Sequence, residues 1–500
     1  VNAPLRKVGV VVLVLFGLLF ANLNYVQAYK ANDYRTNDHN GRVALAEYER
    51  ERGAITLSHG YVLARSKPTS GALKYQRTYS DGAEAYAHIV GYRPVNAPAT
   101  GIEKLENDFL SGNSDALFGD RFTEMFSDQK KPGGNVILSL SKQAQETAYD
   151  QLLHNKVGAD IGAVVALDPR TGAVLAAAAT PSYDPTPLVS HDGATARNAF
   201  EKLDSAPDNP LLNRAFSDTY PPGSTFKVID AATALSNGIT PDTVLTGGSS
   251  YGPPGTTHVI HNAPGVVCPD KITLKQALTV SCNTAFSRLC VEKLGADKVK
   301  AMAQDFGYES APTIARDSHN VFNVVPSHTG DMTGPDGQVD KPTLALSCIG
   351  QSDVRMTPLQ GALQAAAVAN GGDEMRPYLV DTLQAPDLSA VYKATPSRLH
   401  HVLSGEVAGQ LRDMMINVVE NGTGRRAQID GFQVGGKTGT AETGGSQGDH
   451  GWFTGFVLKD GQPVAAVAVF LDHAGAGGSA EASRIGGVVM RAVLESKGMR

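Results

Sequence analysis

Five hundred residues suffice for two or three domains with a substantial apolar core. Hydrophobic residues at 42% and charged residues at 19% describe an ordinary globular chain and exclude a disordered one. A net charge of −6 argues against nucleic acid as a main partner, and no period of repeat-protein length is present.

Residues Val8 to Ala21 are continuously apolar and follow Arg6 and Lys7. The length fits both a signal-peptide core, with Val26-Gln27-Ala28 resembling a cleavage site, and a membrane span. Both export everything from about Tyr29 onward, and the amphipathic flank Tyr25–Tyr29 favours an uncleaved anchor over residues 8–28 behind a cytoplasmic stub, residues 1–7. Val1 is read as a non-standard start codon. Residues 29–135 are polar and strand-like, with a hairpin signal in Ala54–Leu57 and Tyr61–Ala64 around His59-Gly60. The charge run Glu47–Arg52 reads as a solvated face, and nothing here offers a catalytic constellation.

Lys131-Pro132-Gly133-Gly134 marks the expected boundary with a second domain, residues 136–500, which opens with a strand (Val136–Leu140) and a helix (Gln143–Leu153). Ile161–Leu167 and Ala173–Ala179 flank Asp168-Pro169-Arg170-Thr171-Gly172 as a hairpin, apolar enough to be buried on both faces. Residues Pro181–Asn213 read as a polar connector.

The connector leads into Tyr220-Pro221-Pro222-Gly223-Ser224-Thr225-Phe226-Lys227, a turn running into an apolar helix that begins at about Ser224 and stops at Asn237-Gly238. Ser224 and Lys227 share a helix face, so Lys227 can act as base for a serine nucleophile, and the helix N-terminus offers free N–H groups to an oxyanion. Ser-x-x-Lys also occurs at Ser127 and Ser139, but only the Ser224 copy has the turn before it and the long apolar helix after it.

Thr273-Leu274-Lys275-Gln276 is a capping box, and the helix it opens gives way near Ser281-Cys282-Asn283 to a second one that ends before Gly295. Ser281 and Asn283 sit at that junction, where capping is the plain alternative role; Ser-x-Asn also occurs at Ser111 and Ser318. Cys268, Cys282, Cys290 and Cys348 form no zinc-site spacing. Export allows one bridge, expected between Cys268 and Cys282, because Cys290 is two helical turns from Cys282. Towards the end, Phe432–Ala441, His450–Leu458 and Val464–Leu471 read as a meander, interrupted by a Gly-rich loop (Thr443–Asp449) and closed by a helix, Glu481–Glu495. Lys437-Thr438-Gly439-Thr440 puts a cation and two hydroxyls along one strand, suited to an extended anionic substrate; alone it would read as a solvated edge lysine.

Ser-x-x-Lys at 224, Ser-x-Asn at 281 and Lys-Thr-Gly at 437, in that order, resemble the signature of penicillin-binding proteins and serine β-lactamases. The chain looks like a class B penicillin-binding protein of actinobacterial type, a monofunctional peptidoglycan D,D-transpeptidase. The resemblance extends to pedestal boxes (Arg52-Gly53-Ala54-Ile55, Ala87–Tyr92, Gly101-Ile102-Glu103) and to Ile349-Gly350-Gln351, Gly422-Thr423-Gly424 and Trp452–Phe456. It implies an α+β fold: an antiparallel sheet of about five strands with helices on both faces, an all-helical lobe, a strand-rich pedestal and one transmembrane helix. No PASTA modules are expected after the last helix.

The resemblance also implies roles. Ser224 is acylated by a D-alanyl-D-alanine stem peptide, Lys227 is the base, and Ser281 relays a proton to the leaving amine. Asn283 orients Lys227 and holds the acyl chain. Lys437 depresses the Lys227 pKa and, with Thr438, Gly439 and Thr440, binds the terminal carboxylate. The backbone N–H groups of Ser224 and Thr440 form the oxyanion hole. No metal or cofactor is implied. The implied partners are donor and acceptor stem peptides, β-lactams, the membrane and a SEDS-type glycosyltransferase. A class A β-lactamase would need a Glu-x-x-Leu-Asn base, absent between Ser281 and Lys437. A sensor receptor would need a multi-span N-terminal region, and a bifunctional enzyme a glycosyltransferase domain. A D,D-carboxypeptidase, differing only in acceptor, and a non-catalytic scaffold are the alternatives kept.

Overall fold

The computed structural model describes residues 2–30, 47–117, 131–316, 321–334, 337–444 and 448–499. The Ser-x-x-Lys copy at Ser127, the Ser-x-Asn copy at Ser318 and the middle of the Gly-rich loop lie outside the described residues. The apolar N-terminal run forms helix α1 (Asn2–Asn24), continued by a π-helical turn at Tyr25–Tyr29. The segment Leu5–Gln27 has a mean hydropathy of 2.1 and buries none of its surface against the protein. At about 1.5 Å per residue it is long enough for the roughly 30 Å hydrocarbon core of a bilayer.

The hairpin signal yields β1 (Ile55–Leu57) and β2 (Val62–Pro68), joined where His59 and Gly60 adopt positive φ, followed by β3 (Tyr75–Tyr79). Strand β4 (Asn135–Leu138) pairs parallel with β1, and Val380–Gln384 and Ala390–Lys393 extend the sheet beyond it to six strands. The segment 29–135 thus shares its sheet with strands from far along the chain.

The expected solvated face at Glu47–Arg52 is corrected by the structure. Glu49 and Glu51 are exposed, but Arg52 is buried, and its Nε donates to Glu103 Oε2 at 2.7 Å. Glu103 is fully buried and also accepts from Arg77 Nε at 2.6 Å, while Glu47 pairs with Arg93. The side chains of Glu47, Arg50 and Arg52 find partners 46 to 81 residues away, so local sequence does not reveal that these charges are satisfied internally.

In the larger domain the apolar hairpin becomes β5 (Gly162–Leu167) and β6 (Val174–Thr180), every residue buried. Helix α2 (Lys142–Leu153) precedes it, N-capped by the Ser141 hydroxyl. The expected connector contains a 12-residue helix, α3 (Gly193–Asp204), capped by the Asp192 carboxylate. None of its residues is fully buried, but Ala199 and Leu203 pack against a small cluster of Ala87, Tyr92, Tyr183, Leu188 and Val189, so Ala196, Ala199, Phe200 and Leu203 carry a helical spacing within the polar connector. Next come α4 (Lys227–Ser236), α5 (Leu274–Val280) and α6 (Asn283–Leu289), then the meander β7 (Gln433–Ala441), β8 (His450–Lys459) and β9 (Gln462–Leu471). The five-stranded sheet is antiparallel throughout, ordered β7-β8-β9-β5-β6. Helices α7 (Pro358–Ala369) and α8 (Gly405–Asn421) cover one face; α2 and α9 (Gly478–Ser496) cover the other. Burial on both faces explains why its strands lack polar alternation.

Replacing Glu103 with Gln leaves Arg52 and Arg77 buried with no countercharge. Breaking such a pair costs about 3–5 kcal/mol, so the urea midpoint of Glu103→Gln should fall accordingly; a loss under about 1 kcal/mol would mean that hydrogen bonding alone satisfies the arginines.

Candidate active site

Three segments far apart in sequence meet at the edge of the five-stranded sheet. Gly223–Phe226 forms a short 3-10 turn leading into α4, so Ser224 stands half-buried on the turn while Lys227 opens the helix, fully buried. The turn is pinned from several sides. Tyr220 and Met356 exchange backbone hydrogen bonds at 3.1 and 2.9 Å, Trp452 Nε1 donates to Pro221 O at 2.9 Å, and Gly223 N donates to Gly350 O at 3.0 Å. Gly223 has φ +53°, and a Cβ there would stand 2.2 Å from Thr440 O; a Cβ on Gly350 would stand 2.0 Å from Gly223 O. Both glycines therefore serve close backbone approach, which brings the nucleophile turn onto β7.

Ser281 ends α5 in the left-handed region (φ 63°, ψ 42°), a conformation that costs a non-glycine residue about 1–3 kcal/mol. Its neighbours over-determine it. Cys282 N donates to Ala277 O at 2.9 Å, Cys282 Sγ caps α6 by accepting from Ala285 N at 3.3 Å, and Cys282 is bonded to Cys268. A second disulfide, Cys290–Cys348, joins the turn after α6 to the helix Lys341–Ser347. One bridge was the expectation. A sequence separation of 58 gives no local cue to the second.

The resulting polar centre is compact. Lys227 Nζ donates to Asn283 Oδ1 at 2.6 Å, to Ser281 O at 2.9 Å and to Ser281 Oγ at 3.3 Å. Lys437 Nζ, also fully buried, donates to the same Ser281 Oγ at 2.9 Å and to Thr438 O at 2.8 Å. The Ser281 hydroxyl is thus shared by two lysines. Of the three acceptors around Lys227, it alone can also donate. Asn283 is held by Nδ2 donating to His261 O at 2.9 Å.

Burial pushes the Lys227 pKa well below the usual lysine range, and the nearby charge of Lys437 pushes it further, while Asp230 opposes both. Burial brings Lys437 down to about 7. On β7, the sheet edge, Thr438 is buried and Thr440 exposed, and Gly439 would clash with Pro222 O if it carried a Cβ, at 2.6 Å. Thr440 O faces Gly223. In an antiparallel strand the N–H and C=O of one residue point to the same side, so Thr440 N–H is directed towards the Ser224 turn.

Two features escape a sequence reading. Thr423, quoted above only as part of a Gly-Thr-Gly landmark, places its hydroxyl 2.5 Å from that of Thr438. Asp230, one turn beyond Lys227 on α4, is fully buried; burial holds its carboxyl well above the usual range. A lone acid inside an apolar helical stripe is the signal that would have found it. The Ser139 copy of Ser-x-x-Lys lies elsewhere: its Oγ donates to Val174 O and Tyr378 O, and Lys142 pairs with Glu146 on a solvated helix face.

Residues 162–495 match the penicillin binding protein transpeptidase domain, and residues 52–136 match the penicillin binding protein A dimerisation domain. The chain is similar to the peptidoglycan D,D-transpeptidase PbpA of Mycolicibacterium smegmatis, 40% identical over 502 residues and 99% of each chain. The protein of the same name from Mycobacterium tuberculosis is 37% identical, covering 99% of this chain and all of that one. The crystal structure of PBPA from M. tuberculosis superposes with a TM-score of 0.82 over 89% of this chain and 100% of that one, at 37% identity. Its imipenem acyl-enzyme complex superposes at 0.83 over 90% of this chain and 100% of that one, also at 37% identity. With its transpeptidase region matched across residues 162–495 and relatedness running the full length, the chain belongs to the class B penicillin-binding protein family.

Proposed function

We propose that this protein is a peptidoglycan D,D-transpeptidase that cross-links stem peptides through an acyl-enzyme on Ser224. The observation that carries the reading is the Ser281 hydroxyl held between two buried lysines, one of which, Lys227, opens the helix that follows the turn bearing the half-buried Ser224. A neutral Lys227 keeps two N–H bonds, to Asn283 Oδ1 and Ser281 O, and its lone pair takes the Ser224 proton as Oγ attacks the carbonyl between the two D-alanines. The Ser224 and Thr440 N–H groups stabilise the oxyanion. As the C–N bond breaks, Ser281 passes its proton to the leaving D-alanine amine and regains one from Lys227. The amine of a second stem peptide then attacks the ester, forming the cross-link and returning Ser224 to its hydroxyl.

Lys437, Thr438, Gly439 and Thr440 line the strand on which the terminal carboxylate binds, and Asn283 positions the acyl chain's amide. β-Lactams acylate Ser224 by the same route, as the acyl-enzyme complexes of the mycobacterial relative support. The N-terminal helix supports a single-pass anchor with residues 29–500 outside the cytoplasm and residues 1–7 inside, and resemblance to the family supports a SEDS-type glycosyltransferase as membrane partner. Residues 29–135 form the pedestal and 136–500 the catalytic domain in this reading.

Ser224→Ala should abolish covalent labelling by fluorescent penicillin, whereas labelling that persists would move the nucleophile elsewhere. With a D-alanyl-D-alanine donor and a D-amino acid acceptor, the enzyme should release exchanged product; hydrolysis without exchange would identify a carboxypeptidase, and neither product a scaffold. In the free enzyme Lys437 loses its charge as pH rises through about 7. The second-order rate constant for penicillin acylation should therefore decline above that pH, while the saturated rate holds because a bound carboxylate restores the charge. A second-order constant that stays flat to about pH 9 would mean that Lys437 remains charged.

A further inference from the structure

Beside the strand that carries Lys437, the ends of β8 and β9 bring together a side-chain cluster with no part in the acyl transfer described above. His450 opens β8 opposite Ala441 of β7, while Asp472 and His473 directly follow Leu471, the last residue of β9, which pairs with Gly451. One ligand-type atom from each of the three side chains lies within 4.8 Å of the other two. His450 Nδ1 stands 2.7 Å and His473 Nε2 3.6 Å from the same oxygen, Asp472 Oδ1. The two imidazole rings are 5.0 Å apart, and Tyr220 and Phe470 pack against the His450 ring.

The surrounding backbone decides which ring atoms carry protons. His473 Nδ1 lies 2.9 Å from Gly448 O; a carbonyl only accepts, so this nitrogen holds the ring proton and Nε2 keeps its lone pair. The backbone N–H of His473 donates to His450 Nδ1 at 3.3 Å, so that nitrogen also presents a lone pair. Asp472 Oδ1 is buried without a hydrogen-bond partner, near as His450 Nδ1 is to it. Two nitrogen lone pairs and a carboxylate oxygen therefore converge with no proton among them, an unfavourable arrangement out of water unless a cation joins them. The contact at 3.3 Å is a long, weak hydrogen bond, and it is the one such a cation would displace. Two imidazoles and one carboxylate suit zinc rather than magnesium or calcium. A histidine whose other ring nitrogen donates to a backbone carbonyl, as His473 does to Gly448, is oriented as metal-bound histidines are. Tetrahedral zinc with bonds of about 2.0–2.1 Å spaces its ligand atoms about 3.3 Å apart, between the 2.7 and 3.6 Å seen here. The Asp472 and His473 side chains are 13% and 38% exposed, which leaves a path from solvent and room on that side for a water as fourth ligand. We propose that His450, Asp472 and His473 form a zinc-binding site that clasps the ends of β8 and β9 beside the active-site strand.

The test uses the full chain, without a histidine tag, in neutral detergent micelles. Stripped with a chelator, mixed with zinc chloride and gel-filtered, it should retain about one zinc per chain by elemental mass spectrometry. Zinc at about a hundredfold above its dissociation constant should raise the melting temperature by about 3 °C, and magnesium at the same concentration should not. Cobalt in place of zinc should give the visible absorption of a tetrahedral site. Two variants locate the ion: His473→Ala, which trims a half-exposed ring, and Asp472→Asn, which keeps the side-chain volume, should each weaken zinc binding at least about tenfold. His154→Ala, on the solvated face of α2, should bind as the parent does. All three should still label with fluorescent penicillin, which reports a folded catalytic domain. No retained zinc would overturn the site and mean that a second ring proton, rather than a metal, joins the cluster. Retention unchanged in labelling-competent His473→Ala and Asp472→Asn, or lost equally in His154→Ala, would place the ion elsewhere and refute the assignment.

Discussion

Two lysine side chains, each removed from solvent, converge on one serine hydroxyl, and much of the surrounding fold serves to hold that convergence. Two ammonium groups side by side in a low-dielectric interior would repel, and each would lose several kcal/mol of hydration. The arrangement is stable because burial lowers both pKa values, so that the pair need not carry two charges at neutral pH. Burial and the neighbouring Lys437 both lower the Lys227 pKa, which suits Lys227 to accept a proton. Asp230, one turn away, opposes that drop without cancelling it, and burial holds its own carboxyl well above the usual range.

The geometry that permits this comes from backbone contact rather than from side-chain size. Gly223, Gly350 and Thr440 meet at distances no Cβ would tolerate, so the nucleophile turn, the Gly350 turn and the edge strand form one rigid junction. Ser281 is held at a left-handed angle by the abutting helices α5 and α6 and by the Cys268–Cys282 bridge. Strain at this residue is consistent with a functional position, because a glycine or asparagine would satisfy the turn at lower cost but could not supply the hydroxyl.

Much of this was legible from sequence because the catalytic elements follow local rules. The Pro-Pro-Gly turn, the apolar stripe after Lys227, the Thr273 cap and the alternation-free strands 162–167 and 462–471 all depend on neighbours within a few residues. What escaped depends on distance. The charge run at 47–52 finds its partners at Arg77, Arg93 and Glu103; the second disulfide closes a span of 58 residues; and the sheet of residues 55–79 is completed by strands at 380–393. Helix α3 escaped although Ala196, Ala199, Phe200 and Leu203 recur at helical spacing, because that short stripe is set among polar residues and covers only a small satellite cluster. The role of Thr423 was hidden because its partner, Thr438, is on a different element.

The most direct measurement is the ionisation of the two buried lysines themselves. In protein carrying ¹³C at the lysine Cε, NMR signals followed from about pH 5 to pH 11 should separate two lysines that titrate far below the ordinary value of about 10.4. One signal should vanish in Lys227→Met and the other, titrating near 7, in Lys437→Met. If every lysine titrates near 10.4, Lys227 is charged at physiological pH, it cannot take the Ser224 proton, and the account of the site is wrong.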